Sequence, residues 1–107
     1  MKYHVLLTDR AEQDAEAVLI WFRRQSAPVA GARWMSRLFT TIDRLETSPE
    51  RCRKAAEADE IGIDIREITV GRRQGMYRIL FQIDGRTVHV LRIWHARRDA
   101  IKREDLF

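Results

Sequence analysis

The side chains best equipped for chemistry in this 107-residue chain fall between Gly71 and Asp99. Arg72, Arg73, Arg78, Arg97 and Arg98 bring guanidinium groups, and His89 and His95 bring imidazoles. A guanidinium is a planar fork of donors that fits phosphate or carboxylate oxygens. An imidazole titrates near neutral pH and can carry a proton in either direction. Together they could hold an anion and move a proton beside it, the parts of metal-free acid–base chemistry. Arg78, His95, Arg97 and Arg98 are the candidates for those roles. The same cations without proton transfer would grip an acidic protein or a protein–DNA complex. Arg72, Arg73, Arg78, Arg97 and Arg98 are then a target-binding surface. Cys52 is the sole cysteine, and no metal-ligand cluster, phosphate-cradling glycine loop before a helix or Ser-His-Asp set accompanies it. Neither a metal nor a cofactor is expected.

A β-hairpin must position these groups. MYRILFQI and RTVHVLRIWH are two β-rich runs around Asp84-Gly85, a dipeptide suited to a type I′ turn. That loop predicts Ile83 opposite Arg86, Phe81 opposite Val88, Ile79 opposite Val90 and Tyr77 opposite Arg92. Alternation then gathers Tyr77, Ile79, Phe81, Ile83, Val88 and Val90 on one apolar face. Met76, Arg78, Leu80, Leu91 and Ile93 share the other with His89 and His95. The loop bearing Arg72 and Arg73 comes to lie beside His95, Arg97 and Arg98, with Arg78 roughly 7 Å further along its strand. Arg78 projects among apolar neighbours, where an unpaired guanidinium is costly. It therefore either meets a carboxylate of its own chain or awaits an anionic target.

Before the hairpin, Lys2–Leu7 predicts a short strand. Asp9 with Glu12 resembles a capping box, and Ala11, Ala15, Val18 and Phe22 form an amphipathic stripe. Ser26-Ala27-Pro28 ends that helix and starts another, whose stripe is Met35, Leu38, Ile42 and Leu45, widened by Phe39. Residues 50–60 are polar and suit a loop or one frayed helical turn. A strand begins near Ile65, and the tail from Ala100 is a short helical turn or a loose end. The order is β-α-α-β-β-β: an α+β domain spanning residues 1–107, a mostly antiparallel sheet with a helical hairpin across one face. The helices bury the apolar face of the β-hairpin. Met76, Leu80, Leu91 and Ile93, with Trp21 beside the helical stripe, are left as apolar surface for a partner.

The formal net charge is +4, yet residues 71–107 hold nine Lys/Arg against four Asp/Glu while residues 1–70 hold eleven against twelve. The basic excess belongs to the half with the hairpin and suits a polyanion or an acidic partner. No run of 18 apolar residues is present, the N-terminal apolar stretch is too short for a signal peptide, and one cysteine cannot form an internal disulfide. A cytoplasmic protein without a membrane segment is expected.

YRILFQIDGRTVHVLRIWHARRD resembles the C-terminal hairpin of the RelE/ParE toxins of type II toxin–antitoxin modules, which serve in plasmid stabilisation. The shared features are a Tyr-Arg strand, an acidic-Gly turn, a Val-x-Val-Leu-x-Ile strand and a closing His-x-x-Arg-Asp. Pro49-Glu50-Arg51-Cys52 and the run Ile65 to Gly71 fit the same pattern. The resemblance implies this same fold and a cognate antitoxin, bound in a hetero-oligomer through Trp21, Met76, Leu80, Leu91 and Ile93. It also implies one of two targets. The RelE branch cuts messenger RNA on the ribosome, and there Arg78 and one of Arg97 or Arg98 match the catalytic arginines. Several of those nucleases carry a C-terminal catalytic tyrosine that the tail KREDLF lacks. The ParE branch, whose studied members poison DNA gyrase, implies an interaction surface without catalytic residues. The length of the helical hairpin and the Trp21…Trp34 spacing are similar to that branch. A basic nucleic-acid-binding module without toxicity is a third alternative.

Overall fold

The computed structural model describes residues 2–107. Strand β1 (His4–Leu7) leads into helices α1 (Asp9–Arg24) and α2 (Pro28–Asp43), then a single helical turn α3 (Ala58–Ile61). Strands β2 (Ile65–Val70), β3 (Tyr77–Asp84) and β4 (Thr87–His95) follow, and a last turn α4 (Arg103–Leu106) ends the chain. The sheet runs β1-β4-β3-β2, with β1 parallel to β4 and the other pairs antiparallel. The expected element order and the start of β2 at Ile65 both hold.

Thr8, rather than Asp9, caps α1. Its hydroxyl accepts from the Ala11 N–H at 3.1 Å and donates to the Leu91 carbonyl at 3.0 Å, so one side chain starts the helix and ties it to β4. Asp9 and Glu12 sit in the first turn, where their charges favour the helix dipole. Pro28 opens α2 at a position that needs no N–H. The helices cross closely at Gly31, where a Cβ would lie 2.9 Å from that of Phe22. Ala11, Ala15, Val18, Trp34, Leu38, Ile42 and Leu45 bury one face of the sheet, meeting Ile79, Phe81, Val88 and Val90.

The β3–β4 register differs from the expectation in two places. The loop is Gly85-Arg86, with Asp84 opposite Thr87 and Ile83 opposite Val88. Only Gly85 has positive φ (+60°), which marks a II′ rather than a I′ geometry. Moving the loop by one residue shifts the pairing by two, so the side-chain faces survive near the turn. A bulge then intervenes: Phe81 pairs with Val90 but Leu80 with Arg92, leaving Leu91 as the extra residue. Past it every side chain changes face. Ile93 joins the helix-covered core, Trp94 passes to the opposite side, and His95 comes opposite Tyr77.

The opposite face is not open either. Ala55, Ala58, Ile101 and Leu106 close over Ile65, Leu80, Leu91 and Trp94 as a second core, with Ile61 and Ile63 at its edge. The expectation that Leu80, Leu91 and Ile93 form partner-binding surface is therefore corrected, since all three are buried within the chain itself. Met76 is half-buried.

Candidate functional site

Arg78 stands at the centre of an ion network on this second face. Its Nη1 and Nη2 donate to the two carboxylate oxygens of Glu57 at 2.9 and 2.7 Å, while Nε and Nη2 donate to Glu67 Oε1 at 3.1 and 2.7 Å. Arg53 Nη2 reaches the other oxygen of Glu67 at 2.9 Å, so two cations balance two anions. Glu57 also accepts from the Ile101 N–H at 2.9 Å and fastens the C-terminal segment. The Arg78 hydrogen bonds hold the Glu57 carboxyl down to about 2 from its ordinary 4.5, against the opposing effect of burial. The same bonds raise Arg78. Of the two fates open to this guanidinium, the chain adopts pairing with its own carboxylates. Arg78 is accordingly withdrawn from the target surface, because its side chain is 14% exposed and its fork is occupied.

His95 is half-buried at the sheet end, with its ring edge-on to Tyr77 at 4.9 Å between centroids. Its Nδ1 accepts from the Arg97 N–H at 3.1 Å, so the neutral ring carries its proton on Nε2. Burial raises the Tyr77 phenol above its ordinary value. Tyr77 continues into Trp34 and Phe22 at 5.2 and 6.5 Å, and Phe22 into exposed Trp21 at 5.1 Å. His89 pairs with Gln82 near the turn and lies about 20 Å along the strand from His95.

The remaining arginines have different neighbours. Arg98 lies over the Trp94 ring at 3.7 Å, and Trp94 Nε1 donates to the Asp99 carbonyl at 3.0 Å. Arg97 is exposed beside it. Arg72 and Arg73 are exposed on the β2–β3 loop, where Arg73 has φ +48°. Arg72 faces α2 and lines a cleft with Arg37 and Arg44. Both loops leave the same end of the β3–β4 pair, where Tyr77 faces His95 and the Ala96 N–H donates to the Met76 carbonyl at 2.9 Å, as expected.

Open apolar surface lies on the helical side instead. Two adjoining cavities of about 480 and 590 Å³ share Leu19, Met35 and Phe39 and add Phe22, Val5 and Leu7. Phe39 is 48% exposed, Leu6 44% and Trp21 56%, so both helices and β1 contribute. Phe39 was expected to widen the buried stripe, yet it lines this groove.

Several structural partners escape sequence reasoning. Asp14 receives Nε and Nη2 of Arg92 at 2.8 and 2.9 Å and the Ile93 N–H at 2.9 Å, taking a β4 donor past the end of β1. Arg92 also donates to the Asp105 carbonyl at 2.7 Å. An acid on the buried side of an otherwise apolar stripe was the signal for Asp14, which lies one turn before Val18.

A four-stranded mixed sheet with a helical hairpin on one face is the architecture of a small RelE/ParE-type domain. Among solved structures, one titled "Chromosomal ParDE TA system from P. aeruginosa" superposes with a TM-score of 0.71 at 16% identity, covering 88% of this chain and 96% of that one, a likeness of fold. The profile of the family described as "ParE toxin of type II toxin-antitoxin system, parDE" matches residues 5–100. "Toxin RelE1" of Caulobacter vibrioides is 34% identical over 96 residues, 90% of this chain and 96% of that protein. The chain belongs to the ParE toxin family of type II toxin–antitoxin systems. None of its helices is long and apolar enough to cross a membrane, among the described residues.

Proposed function

We propose that this toxin acts by binding DNA gyrase in the cytoplasm and is held inactive in a hetero-oligomer with a cognate antitoxin. The observation that carries this reading is the capture of Arg78 by Glu57 and Glu67. A ribonuclease of this fold would direct that strand arginine at a phosphorane, and here two carboxylates already occupy it. Arg72, Arg73, Arg97 and Arg98 remain exposed for an acidic target. The antitoxin fits the groove of Leu19, Phe22, Met35 and Phe39, where an amphipathic helix could bury its apolar stripe. β1 at the sheet edge offers backbone groups to an added strand.

One observation favours the RelE-like alternative of ribosome-dependent messenger RNA cleavage. The β-bulge brings Tyr77 against His95, placing a phenol and an imidazole together at the end of the sheet, two residues from Arg97. Purified toxin mixed with gyrase and supercoiled plasmid, and separately with programmed ribosomes, distinguishes the two. Gyrase-dependent DNA cleavage with intact message is the expected result. Cut message with unaffected gyrase would reverse the preference and identify Tyr77 and His95 as the proton-transfer pair.

A further inference from the structure

We infer that the cleft between the C-terminal half of α2 and the β2–β3 loop binds the phosphate backbone of duplex nucleic acid. Arg37, Arg44 and Arg72 line this cleft of about 340 Å³, with the hydroxyl residues Ser36, Thr40 and Thr69. No acidic or aromatic side chain is among its lining residues. None of the three arginines forms an ion pair with a described residue, in contrast to Arg78 and Arg92. Three exposed, uncompensated guanidiniums beside hydroxyl donors match the oxygens of a phosphodiester.

The loop holds Arg72 in place. Gly71 has φ +96°, and a Cβ there would collide with the Gly75 carbonyl, so the chain folds back tightly. The Gly75 N–H then closes the loop on the Arg72 carbonyl at 2.9 Å. The C-terminus of α2 opposes an anion with roughly half a negative charge. Three full positive charges outweigh it. Asp43, the only acidic residue in α2, does not line the cleft.

Two features favour a duplex over other anions. Arg33 and Arg37 are four residues apart on α2, one helical turn and about 6 Å of rise, so the basic strip continues past the cleft toward a second phosphate. Single strands are held largely by stacking on aromatic rings, and this cleft has none. Among the described residues no Asn or Gln lines it, and guanidiniums beside hydroxyls suit phosphate oxygens, which position a duplex rather than specify its sequence. This inference stands apart from the choice between gyrase and ribosome.

Fluorescence anisotropy of the full chain with a labelled 20-base-pair duplex, titrated across salt concentration, tests it. Duplex DNA and duplex RNA form separate arms, with labelled polyglutamate and inorganic phosphate as further probes. Arg37→Gln, Arg44→Gln and Arg72→Gln should each flatten the salt dependence by about 0.9 in log–log slope. The triple variant should lose most duplex affinity, while Arg86→Gln at the distant hairpin turn changes nothing. An unchanged slope in the triple variant would overturn the inference. So would polyglutamate binding more tightly than either duplex, which would assign the cleft to an acidic protein. Saturation by inorganic phosphate with no duplex binding would likewise overturn it. Gyrase and ribosome activities are read separately, so failure here leaves the proposed function untouched.

Discussion

Arg78 and Glu57 meet through two parallel hydrogen bonds of 2.9 and 2.7 Å, joining the middle of the sheet to a segment 21 residues earlier. Glu57 in turn holds Ile101, so one pair secures both the covering segment and the tail. The arginine most exposed to suspicion as a catalytic group is a structural clasp.

Replacing Arg78 by alanine should therefore unfold rather than merely silence the protein. Removing one partner of a buried pair leaves the other charged and unmatched, at a cost of about 3–5 kcal/mol. For a domain of this size that lowers the melting temperature by at least about 12 °C. Thermal denaturation followed by circular dichroism checks it, and a variant within about 2 °C of wild type would return Arg78 to the surface.

Glu57 predicts a specific acid response. Its carboxyl titrates at about 2 in the fold against an ordinary 4.5, so the folded value is depressed. The stabilisation is present above pH 4.5 and drains away as pH falls through about 2. In urea denaturation at stepped pH, wild type should lose stability across that window more steeply than Glu57→Gln, by about one proton. Parallel curves would show that Glu57 is not the group responsible.

Phe39→Glu should abolish co-purification with the antitoxin while leaving the fold intact, because Phe39 is half out of the core and faces the groove. Leu91→Ala gives the contrasting result. Leu91 is 4% exposed, and its truncation should cost about 2–5 kcal/mol while any protein that folds still binds. An antitoxin that tolerates Phe39→Glu must dock elsewhere.

Asp14 and Arg92 should behave as one unit. Asp14→Ala and Arg92→Ala each strand a partner, yet the double variant strands neither. Their coupling energy in a double-mutant cycle should fall within about 0.5–3 kcal/mol. Simple additivity would place the two groups out of contact in solution.

Much of the architecture was legible because helical and strand periodicities differ. The stripe Ala11, Ala15, Val18 and the start of β2 at Ile65 needed only those periods. The bulge at Leu91 did not announce itself. Val90, Leu91, Ile93 and Trp94 are all apolar, so a slip of face changes no pattern in the letters. The cover over the second face was hidden for a different reason. Ala55 and Ala58 are small residues in a polar segment, and they seal a surface by fitting closely rather than by being strongly hydrophobic. Glu57 and Glu67 lie 21 and 11 residues from Arg78. Only the tertiary fold brings them together, so the sequence left open whether Arg78 meets a carboxylate of its own chain or an anionic target.

β1 pairs in parallel with β4, residues 4–7 alongside 87–90. A ribosome adding roughly 5–20 residues per second leaves the first strand waiting some 4–16 s for the last one. For that interval the helices can form their hairpin, but the sheet beneath them has no floor, and the exposed arginines that flank β3 and β4 have no common frame. The sheet is thus incomplete until β4 has been made. On the docking proposed above, an antitoxin would meet the groove-forming helices before the finished sheet exists.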